Sequence, residues 1–165
     1  MPLKDQHRQE FYDCIRDLIH TPQVQSMGQI AQHTGEVSRL EHSLYVSYVG
    51  FLLCDFFGLD QRAAARGGLL HDMHYATRDE AFSFRARLLL LHPKLALHNA
   101  SAAFELSQKE QDIIVKHMWP LTVSLPRYAE SYLVCLADKL CAAAEMLRLY
   151  RLMRMEEKLR PAFAA

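Results

Sequence analysis

The chain has 165 residues, half of them hydrophobic and 23% charged, with 19 Lys plus Arg against 19 Asp plus Glu. That length and composition suit one domain with its own core, spanning residues 1–165, and exclude a largely disordered chain. A formal net charge of zero removes any general electrostatic drive towards nucleic acid or an anionic membrane, so neither partner is expected.

A first helix is predicted from about Lys4 to Ile19, burying Phe11, Cys14, Ile15, Leu18 and Ile19 and ending before Thr21-Pro22. The N-terminal stretch is charged and amphipathic, without the apolar core of a secretory signal, and no apolar run is long enough to span a bilayer. A soluble, cytoplasmic protein is therefore expected. After a turn near Met27-Gly28, Ser38 reads as the N-cap of a helix that stops near Phe57-Gly58. Asp60 caps the next helix, which runs to His71-Asp72 and whose Gly67-Gly68 pair allows close packing on a neighbour.

Thr77 or Asp79 is expected to start a further helix reaching Leu91, and Pro93 to open another that carries Leu97, Ala100, Ala103 and Phe104. Ser107 to Glu110 forms a capping box ahead of Ile113, Ile114 and His117. Trp119 to Pro126 holds two prolines and reads as loop, and a long final helix is expected over about Arg127 to Leu159. No run alternates as a strand does, so the class is all-α, a single-domain helical bundle. Cys14, Cys54, Cys135 and Cys141 sit in apolar stretches without CxxC spacing, which favours buried reduced thiols over catalytic ones.

Nine histidines are many for this length. His7 and His20 need no special role, but His71-Asp72 follows the apolar run Gly68-Leu69-Leu70. A carboxylate buried there needs a cation or strong donors, whereas at a solvent-facing helix end the pair would cost nothing. His42 and Asp138 lie in mostly apolar helical stretches, His92 precedes Pro93 at an expected helix junction, and His117 ends a helix before Trp119. Each alone also fits a hydrogen-bonded core residue or a surface one. As a set they match the way helical bundles build metal sites, from imidazoles and carboxylates on several helices.

The order His42, then His71-Asp72, then Asp138 resembles the H…HD…D signature of the HD-domain superfamily, over roughly His33 to Glu145. The resemblance implies a metal-dependent phosphohydrolase that opens phosphomonoesters or phosphodiesters by attack of metal-activated water. His92-Pro93 and His117 are similar to the added ligands of the two-metal subset, in which Asp72 would bridge the ions. Two divalent cations are thus implied, iron or manganese first, with magnesium, cobalt or nickel as further candidates. The Met118-Trp119-Pro120 segment lacks Gly-Tyr-Pro, so cyclic dinucleotide hydrolysis is not implied, and His71-Asp72-Met73-His74 lacks the HDxxE form of the helical 5′-nucleotidases. The ligand set also resembles that of hydrolases of symmetrical dinucleoside polyphosphates, and the whole pattern that of bacterial HD proteins of unassigned substrate.

A phosphohydrolase needs cations against the charge on phosphate. Lys139, beside Asp138, is the first candidate; Arg39 and Arg78 follow, with surface positions expected for both. His74, three residues after His71, would share its face on a continued helix and could protonate a leaving group or support a ligand. His98 competes with His92 for a ligand role but is expected at the surface, as is His33. The expected substrate is a nucleotide or another small phosphorylated metabolite, and a homo-oligomer is left open. Two other classes use the same frame: a catalytically silent HD-like binding bundle, which typically loses ligands, and a di-iron oxygenase.

Overall fold

The computed structural model describes residues 2–32, 37–75 and 82–149, and their side chains except at 2–5 and 82–89. Seven α-helices are described: α1 (Pro2–Ile19), α2 (Pro22–Gln25), α3 (Arg39–Phe56), α4 (Gln61–Leu70), α5 (Phe82–Ala103), α6 (Gln108–Lys116) and α7 (Ala129–Met146). A 3₁₀ turn, Ser26–Gln29, follows α2, and the only β feature among the described residues is an isolated bridge, Ala31 to Ser38. The fold is all-α. No helix of the described residues is long and apolar enough to cross a membrane.

Polar side chains set the helix starts. Ser38 and Ser107 each accept from the backbone N–H three residues on, while Glu41 and Glu110 reach back to close capping boxes. Asp60 accepts from the Ala63 N–H and opens α4. On α1, Phe11, Cys14, Ile15 and Leu18 are all buried, the i, i+3, i+4, i+7 spacing of one helix face.

The central element is α3, buried on nearly every side and packed between α4 and α7. Close approach to α4 depends on two glycines. A Cβ on Gly68 would lie 2.8 Å from the Ser47 backbone, and one on Gly67 would lie 2.7 Å from the Ile113 side chain on α6. The Ser47 hydroxyl seals the first of these contacts by donating to the Ala65 carbonyl at 2.6 Å. An ion network, buried at Arg66 and Glu110 and exposed at Asp17, fastens the other side of α4: Arg66 donates to both Asp17 oxygens on α1, at 2.7 and 2.6 Å, and to Glu110 on α6 at 2.6 Å.

Two expectations fail. No junction separates two helices at His92-Pro93; α5 continues through Pro93, which sits inside it. Both residues are buried, and tertiary packing overrides the local cost of the missing N–H. The last helix is interrupted as well: α7 ends at Met146, and Arg148 turns into the left-handed region at φ 55°, while the expected stretch over 150–159 falls outside the described residues. The expected helix starts at Thr77 or Asp79 fall outside the described residues, as do His33 and Arg78.

Candidate metal centre

Five helices bring the chemistry together. His42 projects from α3 and Asp138 from α7, His71 and Asp72 follow the last turn of α4, His92 lies within α5, and His117 caps the end of α6. All five residues other than Asp138 are buried, and the Asp138 side chain is only 13% exposed.

Local carbonyls at the helix ends orient two of the rings. His71 Nδ1 donates to the Gly68 carbonyl and His117 Nδ1 to the Ile114 carbonyl, each at 2.7 Å. A carbonyl only accepts, so each ring carries a proton on Nδ1 and turns its Nε2 towards the cluster. His42 is held differently: its Nδ1 is 2.8 Å from Glu145 Oε1 and its Nε2 is 3.1 Å from Asp138 Oδ1. An imidazole that hands one N–H to a carboxylate and turns its other nitrogen inward is the usual support of a metal-binding histidine.

Asp72 lies between two groups. Its Oδ2 is 3.6 Å from His71 Nε2, while its Oδ1 is 3.3 Å from His92 Nε2 and 3.7 Å from His117 Nε2. His92 and His117 aim their Nε2 atoms at one point, 2.8 Å apart. Asp138 Oδ1 also stands 3.7 Å from His71 Nε2. Hence two clusters of potential ligands, His42/His71/Asp72 and Asp72/His92/His117, share one carboxylate.

The electrostatics call for cations. Burial opposes ionisation at Asp72 and Asp138, yet the surrounding histidines hold both carboxyls far below the ordinary range. At His42 burial is outweighed by the bonds to Asp138 and Glu145, which push the imidazole up to about 10. Burial and then His71 push His117 down to about 3, keeping its Nε2 a lone pair at neutral pH. Among the described residues, His71 Nε2 and Asp72 Oδ1 are buried without a hydrogen-bond partner. Two buried polar atoms without partners, one on each side of the Asp72 carboxylate, cost free energy unless another centre binds them, and the imidazole and carboxylate donors present fit a divalent cation.

The remaining candidates distribute as follows. Lys139 is partly exposed at the edge of the site, and its ammonium donates to the His117 carbonyl at 3.0 Å and to the Cys135 carbonyl at 3.3 Å. Arg39 is buried, not at the surface: its Nη1 donates to the His74 carbonyl and its Nε to Gln32. α4 ends at Leu70, so His74 does not continue that helix; it is buried beside His92, with ring centroids 5.2 Å apart. Burial and then Arg39 push it down to about 4, leaving a neutral ring at pH 7. His98 is exposed on α5 and stays outside the cluster.

Two participants went unseen in the sequence. Glu145 lies seven residues after Asp138, two turns along the same face of α7, and that spacing could have revealed it. Gln32, in an irregular segment, donates to Asp72 Oδ2 at 2.7 Å; no periodicity marks it.

The HD domain family matches residues 39–143. The chain belongs to the HD-domain family. All six clustered ligand candidates fall inside the matched segment, whereas Gln32 and Glu145 lie outside it. This HD chain is also similar to Ribonuclease Y of Aquifex aeolicus (strain VF5), 34% identical over 128 residues. The similarity covers 72% of this chain and 20% of that protein, so the chain spans about a fifth of that relative's length. No solved structure matches it.

Proposed function

We propose that this HD chain is a metal-dependent phosphohydrolase that uses two divalent cations, iron or manganese first, against a phosphomonoester or phosphodiester. The observation that carries the reading is the division of labour at Asp72, whose two oxygens face separate histidine clusters. His42, His71, Asp72 and Asp138 would hold one cation, and Asp72, His92 and His117 the other. Bound there, such ions supply charge for phosphate oxygens and a water acidic enough to attack at neutral pH.

The protein's own part is orientation and charge. Histidine Nδ1 bonds fix the rings before any ligand arrives, and the two ionised aspartates bring negative charge to the cluster. Lys139, with two donors on carbonyls and an exposed flank, would meet an incoming phosphate at the rim. His74, neutral and buried, would line the site as a hydrogen-bonding group rather than donate a proton to the leaving group.

The zero net charge supports a small phosphorylated metabolite, such as a nucleotide. A second reading, an RNA phosphodiester, is favoured by the similarity to a protein named Ribonuclease Y. Four buried free cysteines agree with a reducing, cytoplasmic setting. The test is a screen of nucleotides, p-nitrophenyl phosphate, its bis-ester and a short RNA with Mn²⁺. Phosphate release that disappears in Asp72→Ala supports the hydrolase. Metal binding without turnover of any phosphoester, but with oxygen consumption, would move the chain to the oxygenases.

A further inference from the structure

Asp72 has to keep each oxygen turned to its own histidine cluster, and its negative charge has to stay available to cations while a guanidinium lies close by. The side chain that meets both needs is Gln32. Its Nε2 donates to Asp72 Oδ2 at 2.7 Å, and its Oε1 accepts from Arg39 Nε at 3.0 Å. Arg39 can only donate, so the amide has one admissible orientation: oxygen to Arg39, NH₂ to the carboxylate. The backbone pins both residues. The Gln32 N–H donates to the Val37 carbonyl at 2.8 Å and the Arg39 N–H to the Ile30 carbonyl at 2.7 Å, flanking the Ala31–Ser38 bridge. Arg39 is fixed at its far end by the His74 carbonyl. Gln32 is 8% and Arg39 6% exposed, so water does not replace these bonds cheaply.

We infer that Gln32 is the positioning residue of the metal centre: a neutral donor that locks the Asp72 carboxylate and stands between it and Arg39. With Oδ2 engaged, Oδ1 is left to the His92/His117 side, where it has no hydrogen-bond partner. A guanidinium bonded directly to Asp72 would neutralise the charge that draws cations; an amide transmits position without doing so. The inference rests on the two-cation reading of the site and adds to it a residue outside the segment that the HD family matches.

Titration calorimetry with Mn²⁺ on the full chain tests it, alongside circular dichroism, for wild type, Gln32→Leu and Gln32→Glu. The glutamate keeps the volume and the Arg39 contact but turns a second acceptor, not a donor, towards Asp72. A packing role would be rescued by Glu; a donor role would not. Both variants are expected to weaken Mn²⁺ binding by roughly 10–100-fold at unchanged helix content. If Gln32→Leu fails to fold, Gln32→Glu carries the test by itself. Wild-type or tighter affinity in Gln32→Glu overturns the role of Gln32 and leaves the metal centre standing. No Mn²⁺ binding by the wild-type chain overturns both.

Discussion

Glu145 shows how a single side chain can govern a site it does not line. It is 1% exposed and bonds His42 Nδ1 at 2.8 Å, fixing which nitrogen of the ring faces Asp138. Replacing it with Gln removes the charge and keeps the shape, so Mn²⁺ affinity in Glu145→Gln should fall by roughly 10–100-fold while circular dichroism stays unchanged. Calorimetry giving wild-type affinity would leave Glu145 as a core residue only. The residues that meet at the centre were legible because a His or Asp in an apolar helical stretch is costly without a partner. Glu145 and Gln32 escaped because they act through other side chains. A glutamate near a helix end and a glutamine in a loop look ordinary until their partners, 103 and 40 residues away, are known.

At the level of elements, the pairing of α3 with α4 decides where His71-Asp72 meets His42. Gly68 faces backbone, not a flexible side-chain end, so a Cβ there forces the two helices apart. Gly68→Ala is therefore expected to destabilise by about 1–3 kcal/mol in urea unfolding and to weaken Mn²⁺ binding in parallel. Unchanged stability would mean that the contact relaxes freely. Helix starts were readable from Ser38, Asp60 and Ser107, since capping is local chemistry. The continuity of α5 through Pro93 was not, because burial of His92 and Pro93 against neighbours outweighs a local rule. The end of α7 at Met146 was likewise hidden, as no glycine or proline marks the left-handed turn at Arg148.

The whole molecule is held by contacts far apart in sequence. Arg66 joins α4 to Glu110 and Asp17 across separations of 44 and 49 residues, which no local pattern reveals. Glu110 is buried, so Arg66→Ala takes the paired cation from its Oε1, leaving only the capping-box bond on Oε2, and should cost about 3 kcal/mol, read as a lower urea midpoint. Cation binding should act in the opposite direction. A ligand that binds only the folded chain adds about 2.7 kcal/mol at 100 times its Kd, so Mn²⁺ should raise Tm and a chelator should reverse the gain. A Tm indifferent to both would detach the ion from the fold.

All of this turns on two cations sharing Asp72, and elemental analysis of chains loaded with Mn²⁺ and freed of excess ion tests that most directly. The expected ratios are two ions per wild-type chain, one in His92→Ala and His117→Ala, and neither ion retained in Asp72→Ala with helix content intact. One ion per wild-type chain, unchanged by loss of His92 or His117, or two ions kept by Asp72→Ala, would contradict it.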